Sequence, residues 1–574
     1  MVEFDLIIRG GTVVDGTGAP AEPADVAVRD GVIAAVGDLG DASAERVLDA
    51  AGKIVGPGFV DQHTHYDAQI FWDPYCSNSG EHGSTTIVNT NCGFGIAPCR
   101  AADRERIMSM LENTEEILAD HLRSALPWDW ESWPELHRSM QRVPKGVNLT
   151  SYVPMNPLLV YVMGVDAAKA RRPNEPEIAE MQRLLGEALD LGAAGLSVSL
   201  MGTENTHRDF DGSEMPSDVM HVEDVIAICE PMRERGVGVI QTISQIGPTG
   251  DRSRSEQIAR GTGRPVLHNV FLVGPFGEDG YRDDIGWLDR CLEEGLDLWV
   301  HALLYPAWVE SSLKEFNTAF GSQPEVNQLA LCTTPEQVCE VIGRPGYREG
   351  FRESYDPNRF AIPGGFDGLI VLANDEPSDA DQFVGRTLGD IARERGVHVV
   401  DALLDVILAA GGRLRYKTPP LIGSNIDLAV RYLAHPRVIA GGSDGGAHVK
   451  SVSMGCWTTY FLIEYVREQQ VMSLEEMHYQ LSLKPARALG LTDRGEIAVG
   501  KVADLVVYDL ADLHFDATQY DHVYDMPNGD WRKLARAGGY AGIVVNGVVT
   551  HERDKASGAT PGQLIGPATL ATAP

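Results

Sequence analysis

Short apolar runs broken by glycine and acidic residues occupy both ends of the chain, whereas longer amphipathic segments fill its middle. The runs 6–8, 12–14 and 25–28, and the similar runs 505–508 and 543–549, are rich in β-branched residues and predict short strands with tight turns. The middle alternates apolar strand candidates with amphipathic helices such as 175–191 and 224–235, each followed by glycine. This alternation predicts βα units around a parallel sheet.

One apolar run ends in a pair of histidines. The run 54–60 leads through Asp61 and Gln62 into His63-Thr64-His65. In a strand, residues i and i+2 point to the same face, so His63 and His65 are predicted to project together while Thr64 points away. Because imidazole nitrogen binds zinc and other transition metals, the pair predicts half of a metal site.

Three further segments accompany this pair in a recognisable order. They are 438–448, with Asp444 directly after Val-Ile-Ala-Gly-Gly-Ser; 89–95, which contains Asn91-Cys92-Gly93; and 485–491 followed by 500–507. Together with the His-x-His run they resemble the amidohydrolase superfamily over nearly the whole chain. The Asn-Cys-Gly segment resembles that of the D-aminoacylase branch, in which a cysteine replaces a carboxylated lysine.

The resemblance implies an α/β fold: a (β/α)8 TIM-type barrel with a small β-sandwich built from both termini. The sandwich is expected at 1–56 and 492–574 and the barrel at 57–491, with an insertion at about 308–362 because that stretch exceeds what one helix requires. We assign His63 and His65 to the end of strand 1 and Cys92 to strand 2. The remaining strands are predicted at 148–154, 195–200, 238–243, 266–270, 296–304 and 438–444.

The implied metal ligands are His63, His65, Cys92, His268 and Asp444. For Cys92 and His268 the alternative is a buried structural residue, and for Asp444 it is a turn-capping carboxylate. Where the branch has a histidine on strand 5, this chain has Gln241, so one zinc ion is favoured over two. His301 on strand 7 is a substitute ligand for His268.

The residues that the resemblance implies for substrate binding are only partly present in this chain. Tyr305 resembles a strand-7 tyrosine that contacts the substrate carboxylate, and His207 and Arg208 follow strand 4; His301 and Gln241 are further candidates. The lysine expected after the strand-6 histidine is Val270 here, and an expected Gly-His pair on strand 3 is Pro154-Met155. These departures leave the substrate open.

Composition narrows the class of partner. At 574 residues two domains are expected, and a formal charge of −34 argues against nucleic acid as a partner, because such binding requires basic surface. No run of eighteen apolar residues and no secretory signal is recognised, and the eight cysteines lack disulfide or Cys-x-x-Cys zinc spacing. We therefore expect a cytoplasmic protein with a small-molecule substrate and no membrane association; a homo-oligomer is compatible with this class.

The leading functional hypothesis is a zinc-dependent hydrolase that cleaves an amide C–N bond, in the manner of an N-acyl-D-amino acid deacylase. Asp444 would act as general base toward metal-activated water and then as general acid toward the leaving group. One alternative is the same machinery acting on a cyclic amide, an imide, a lactone or another ester. A second alternative, motivated by Gln241, is a metal-poor binding protein without enzymatic activity.

Overall fold

The structure is a computed structural model of the chain, and it describes residues 3–202, 207–244, 251–273, 276–312, 323–357, 364–374, 376–420 and 422–566. In chain order the strands are β1 Phe4–Val13, β2 Glu22–Arg29, β3 Val32–Gly37, β4 Ala44–Asp49, β5 Ile54–Pro57, β6 Phe59–Asp61, β7 Ser84–Asn89, β8 Asn148–Ser151, β9 Val153–Pro154, β10 Gly195–Leu200, β11 Val239–Ser244, β12 Val266–Leu272, β13 Leu298–Leu303, β14 Glu310–Ser312, β15 Ile370–Leu372, β16 Arg415–Lys417, β17 Val438–Ala440, β18 Leu505–Tyr508, β19 Asp521–Val523, β20 Arg532–Leu534, β21 Tyr540–Val545, β22 Val548–Glu552 and β23 Lys555–Ala556.

The α-helices are α1 Ser77–Gly80, α2 Arg104–Glu115, α3 Ala119–Ala125, α4 Trp133–Arg142, α5 Met155–Met163, α6 Val165–Ala170, α7 Glu175–Asp190, α8 Val222–Ile228, α9 Glu230–Arg235, α10 Ser253–Thr262, α11 Gly277–Glu293, α12 Pro324–Ala330, α13 Pro335–Ile342, α14 Tyr347–Ser354, α15 Leu388–Arg395, α16 Val399–Ala409, α17 Ile426–Ala434, α18 Trp457–Phe461, α19 Leu474–His478 and α20 Lys484–Ala488. π-Helical turns at Leu462–Glu468 and Tyr479–Leu483 extend α18 and join α19 to α20.

Strands from both ends of the chain share one sheet. Its order is β23-β22-β21-β18-β5-β1-β2-β3, with β4 also paired to β1. Within this sheet, β5 from one end pairs antiparallel with β18 from the other. The buried faces of these strands carry valine, leucine and isoleucine, so the terminal strands predicted from their β-branched runs form one hydrophobic layer.

The middle of the chain contributes parallel strands. β6, β7 and β8 pair in that order, and β9, β10, β11, β12, β13 and β17 form a second parallel series. Only Tyr152 separates β8 from β9, so the two series follow one another in space. The predicted α/β class is confirmed.

The carboxyl ends of β6 and β17 lie next to each other. Thr64 forms a parallel bridge with Gly445, and the backbone N–H of His65 donates to the Gly445 carbonyl oxygen at 2.7 Å. The Gln62 amide donates to the Ala440 carbonyl oxygen at 2.6 Å. The histidine pair and Asp444 are therefore close neighbours although Asp444 lies 379 positions after His65 in the chain.

Most predicted strands occur where the patterns indicate them. β10 matches the prediction residue for residue, and β11, β12 and β13 differ from theirs by a few residues at the ends. β17 ends at Ala440, so Asp444 lies in the turn beyond the strand. The predicted helix 224–235 is two helices, α8 and α9, which divide at Cys229 just before Pro231 because proline cannot donate a helical hydrogen bond.

The chain between β13 and β17 forms an additional layer. β14, β16 and β15 make an antiparallel sheet, and α12 to α16 lie between β14 and β16 in the chain. The additional elements thus continue to Lys417, past the predicted end of the insertion at about 362. Residues 313–322 and 358–362 of the predicted insertion lie outside the described residues.

Across the described ranges, no helix has both the length and the apolar character needed to span a bilayer. All eight cysteines are free thiols.

Candidate active site

The two histidines after β6 face the same way, as their spacing predicts. Both side chains are buried, and their ring centroids lie 5.6 Å apart. Thr64 points to the other side, where its hydroxyl bonds to the Val88 carbonyl oxygen at 2.8 Å and to Asn89 Oδ1 at 2.7 Å. These hydrogen bonds connect the segment to β7 and its end, with the histidine rings on the opposite side of the segment.

Cys92 is presented to the histidines by a tight turn after β7. The Asn91 amide donates to the carbonyl oxygens of Thr64 and Val88, and Cys92 has a positive φ of 58°. Its sulfur lies 3.3 Å from His63 Nε2, and one potential ligand atom each from His63, His65 and Cys92 lie within 4.8 Å of one another. Gly93 is required next, because a Cβ there would lie 2.8 Å from the Ser199 backbone nitrogen.

Asp444 adds a carboxylate to this group. Its Oδ1 lies 3.2 Å from His63 Nε2 and 3.9 Å from His65 Nε2. The turn that carries it is packed closely: a Cβ on Gly446, which has φ of +93°, would lie 2.5 Å from the His65 carbonyl oxygen. The Asp444 side chain is 27% exposed, against 7% for His63, so it lies on the open side of the group.

Asn269 and His301 support His63 from strands β12 and β13. The Asn269 amide lies 2.6 Å from His63 Nδ1 and 2.5 Å from His301 Nδ1, bridging the two rings. The rings of His63 and His301 are 5.4 Å apart, and His301 Nε2 is buried without a hydrogen-bond partner. His301 is therefore beside the group, whereas Asn269 had not been predicted.

His268 is not brought to the group, which corrects its prediction as a ligand. Its ring packs 5.2 Å from the Trp287 ring, and its Nδ1 lies 2.9 Å from the Ser255 hydroxyl. Ser255 and Trp287 belong to α10 and α11, so His268 faces the helices outside the sheet. Successive residues of a strand face opposite sides, and on β12 it is Asn269 that faces His63.

Gln241 lies within the site, where it supports the turn that carries Cys92. Its Oε1 accepts a hydrogen bond from the Cys92 backbone N–H at 2.7 Å, and its Nε2 is buried without a partner. The residue that replaces the expected strand-5 histidine thus fixes the cysteine turn.

Of the other predicted substrate contacts, one lies beside the site and two do not. Burial and the neighbouring His448 lower the pKa of His207 to about 4, and the His207 ring lies 6.0 Å from Phe94, so His207 lies beside the site. Arg208 forms an ion pair with Glu214 at 3.2 Å. Tyr305 packs edge-on against Tyr460 at 5.1 Å and its side chain hydrogen-bonds with Cys456. The structure does not bring Arg208 or Tyr305 to the metal-ligand candidates.

A pair of glutamates and a histidine complete the site, and sequence reasoning missed all three. Glu115 Oε2 lies 3.5 Å from His65 Nε2 and 4.0 Å from His448 Nε2, while Glu116 Oε2 lies 3.5 Å from His448 Nδ1. Glu115 ends α2, where the helix dipole disfavours a carboxylate. Two features of the sequence could have indicated these residues. One is a carboxylate at the C-terminal end of a helix, and the other is His448, four residues after Asp444.

Burial controls protonation here. It lowers the pKa of His63 and, more strongly, that of His65, so both rings are neutral near pH 7 and one nitrogen of each carries a free lone pair. Burial raises the pKa of the Cys92 thiol well above its usual value and that of Glu115 to about 8. Burial alone lowers the pKa of His448, but Glu116, Glu115 and Asp444 raise it to about 9.

These groups fit a divalent transition metal. Both ring nitrogens of His65 and one oxygen each of Glu115 and Glu116 are buried without hydrogen-bond partners, which is costly unless a ligand satisfies them. Imidazole nitrogen, cysteine sulfur and carboxylate oxygen are the ligand types that Zn²⁺ takes.

The sequence profile of the amidohydrolase family matches residues 46–255 and 408–551. The chain belongs to the amidohydrolase family. This confirms the predicted superfamily and the prediction of a hydrolase that acts on carbon–nitrogen bonds other than peptide bonds.

The chain is similar to two deacylases and a D-aminoacylase. An N-acyl-D-aspartate deacylase from Alcaligenes xylosoxydans xylosoxydans is 26% identical over 568 residues, which cover 98% of this chain and 95% of that protein. The crystal structure of an N-acyl-D-glutamate deacylase from Bordetella bronchiseptica, complexed with zinc and a phosphonate inhibitor, is 25% identical with a TM-score of 0.63, covering 98% and 100% of the two chains. A D-aminoacylase crystal structure, 24% identical over 98% of this chain and 99% of that one with a TM-score of 0.66, shares the fold.

Proposed function

We propose that this amidohydrolase releases the acyl group of an N-acyl-D-amino acid by metal-dependent hydrolysis of the amide C–N bond. The observation that carries the proposal is that His63, His65 and Cys92 place ligand atoms within 4.8 Å of one another, and that Asp444 Oδ1 lies 3.2 Å from His63 Nε2. The deacylase activities named for the relatives support this substrate class.

The proposed scaffold is a closed (β/α)8 barrel. It is supported by the two parallel series, β6 to β8 and β9 to β17, which only Tyr152 separates in the chain, and by the bridge between Thr64 and Gly445, which lie just beyond the first and last strands. We propose that residues 1–56 and 492–574 form a small β-sandwich beside it. The barrel occupies 57–491, with an insertion from about 308 to 417.

The proposed metal is one zinc ion held by His63, His65, Cys92 and Asp444. Glu115 is near enough to His65 to serve as a further carboxylate donor. A single ion is favoured because Gln241 is engaged with the Cys92 backbone and His268 faces the helices. Bound zinc supplies Lewis acidity to the scissile carbonyl and acidifies water.

Asp444 is the proposed proton carrier. Its carboxylate is the most exposed group of the set and accepts a proton from the attacking water as the new C–O bond forms. The same carboxyl then gives that proton to the leaving nitrogen as the C–N bond breaks, so that a carboxylic acid and a free amino acid are released. His207 lies beside the site where it can contact the substrate.

The decisive experiment measures metal content and hydrolysis together. We expect about one zinc per chain after zinc-supplemented expression, and turnover of N-acyl-D-amino acids in preference to N-acyl-L-amino acids, cyclic imides and lactones. Asp444→Asn should lower kcat by about 10²–10⁴-fold, because it removes the proton carrier. His63→Ala should lose zinc and activity together.

His137→Ala is the control, since this partly buried histidine contacts Gln141 and the Trp133 ring and none of the metal-ligand candidates. Near-normal turnover in zinc-loaded Asp444→Asn would reject the proposed role of Asp444. Substoichiometric zinc with no hydrolysis would favour a binding protein without enzymatic activity. A preference for a cyclic imide or a lactone would favour the same machinery acting on a cyclic amide, an imide or an ester.

A further inference from the structure

A cavity of about 580 Å³ lies between the additional layer and the β19–β20 hairpin. Its walls come from β14 and β16, from the start of α13, from Lys450 and from the hairpin. This volume falls in the range of small-molecule pockets, about 300–1,000 Å³. None of the residues proposed above to hold metal or to carry protons lines it.

The described lining is rich in positive charge in a strongly acidic protein. Arg413, Arg415, Lys450 and Lys533 contribute four cations, whereas Glu310 and Glu376 contribute two carboxylates. The chain as a whole carries −34. Thr334 and Pro335, at the N-terminal end of α13, also face the cavity, and the positive end of that helix adds to the field. Cationic side chains thus outnumber carboxylates among the described lining residues, although the protein as a whole is acidic.

Three of these cations pair with carboxylates, two of which also line the cavity. Lys450 Nζ lies 2.6 Å from Asp530 Oδ1, and Asp530 does not line the cavity. Lys533, whose side chain is 1% exposed, pairs with Glu310 at 2.8 Å. Arg413 is at the rim, 48% exposed and 3.8 Å from Glu376. Charge is thus present both at the floor and at the entrance.

One wall of the cavity is aromatic. Trp531 stacks on His522 with ring centroids 4.3 Å apart, and Lys450 Nζ lies 3.9 Å from the Trp531 ring centroid. Leu329 and Val338 add aliphatic surface on the side of the additional layer. A ligand that complements this lining has an apolar body, which contacts the aromatic and aliphatic side chains, and a negative group, which contacts the cations.

The cavity is separated from the metal-ligand candidates by two buried serines. Ser311 lines the cavity, and its Oγ lies 3.4 Å from Ser451 Oγ, which donates to Glu116 Oε2 at 2.8 Å. Glu116 in turn faces His448. A molecule in the cavity is therefore beyond the wall of the candidate active site.

We propose that this cavity is a second ligand site, which binds a small carboxylate with an apolar or aromatic body. The carboxylate lies toward Lys450 and the arginines, and the body lies against Trp531, Leu329 and Val338. This site is independent of the hydrolytic function proposed above.

The test uses benzoate and hexanoate as probes, with benzamide and inorganic phosphate for comparison, in isothermal titration calorimetry on the full-length chain. We expect benzoate or hexanoate to bind, and benzamide and phosphate to bind at least about tenfold more weakly, because each lacks one half of the required chemistry. Lys450→Gln and the rim variant Arg413→Gln should each weaken benzoate by about tenfold or more.

Arg437→Gln is the matched control for Lys450, because Arg437 also pairs with an aspartate and lies over a tryptophan ring, on another part of the surface. It should leave benzoate binding unchanged. His63→Ala should also retain benzoate binding, which separates this site from a metal-held carboxylate.

Thermal unfolding of each variant shows whether it is folded, and Arg413→Gln keeps the test informative if Lys450→Gln is not. The proposal is overturned by equal binding of benzamide, by equal binding of phosphate, by no binding of either carboxylate, or by loss of binding in His63→Ala with retention in both cavity variants.

Discussion

A single amide at Asn269 determines which histidine presents a free lone pair. As oriented, Asn269 Nδ2 faces His63 Nδ1 and its Oδ1 faces His301 Nδ1, so His301 Nε2 is unprotonated and His63 Nε2 carries the proton. Reversing the amide makes His63 Nδ1 the donor and frees His63 Nε2 for metal. Metal binding by His63 through Nε2 therefore requires the reversed amide.

At the residue scale we predict that Asn269→Ala lowers zinc affinity by about 10–100-fold, because the imidazole loses the partner that sets its tautomer. Asn269→Asp should retain affinity, since a carboxylate accepts from both rings. The measurement is the zinc dissociation constant from competition with a chelator. Asn148→Ala is the control: this buried amide bonds to Asp504 and Asn546, away from the site. Unchanged affinity in Asn269→Ala would contradict the argument.

At the scale of elements, one buried arginine joins the β19–β20 hairpin to the segment that follows the histidine pair. Arg532 on β20 pairs with Asp73 at 3.1 Å and with Asp525 at 2.7 Å, and donates to Asn78 and Ser77. Its side chain is fully enclosed, so these contacts replace water rather than compete with it.

We predict that Arg532→Met lowers the free energy of unfolding by about 3–5 kcal/mol, because it leaves Asp73 buried without its counter-charge. Arg536→Met removes a neighbouring ion pair with Glu81 in which Arg536 is half exposed, and should cost less than about 1 kcal/mol. Urea unfolding of the two variants and the parent chain measures both values. Equal losses would show that the enclosed network contributes no more than a surface pair.

At the scale of the whole molecule, several histidines are buried in the neutral form. Burial lowers the pKa of His82 to about 4, that of His478 to about 3 and that of His551 to about 4. His82 satisfies both ring nitrogens, with the Thr459 hydroxyl at 2.8 Å and the Ala535 carbonyl oxygen at 2.7 Å. Protonation of His82 would place a charge in the buried interior, which burial disfavours.

We predict that the stability advantage of the parent chain over His82→Gln shrinks as the pH falls. The unfolded histidine takes up a proton near pH 6.5 and the folded one near pH 4, so the contribution is fully present above about pH 6.5 and is lost on acidification toward pH 4. The change in the difference is up to about 3 kcal/mol. Buried carboxyl groups titrate in both proteins alike and cancel. Denaturant unfolding of the pair at pH 7.5 and pH 4.5 measures it, and a pH-independent difference would refute the assignment of a neutral His82.

The sequence by itself determined the family, most strand positions and the shared direction of His63 and His65, because strand alternation is a local property that needs no knowledge of neighbours. It also indicated Asp444, since a carboxylate directly after an apolar run requires a partner. The tertiary structure alone decided between His268 and Asn269: a parallel strand covered on both sides is apolar on both faces, so its pattern contains no signal for inside and outside.

The fold alone also brought Glu115 to His65 and to His448, and Tyr305 to Cys456. These contacts join segments that are far apart in the chain, so no local pattern predicts them. The charged cavity has the same origin, since its walls come from the additional layer and from the C-terminal hairpin, which no local pattern relates to each other.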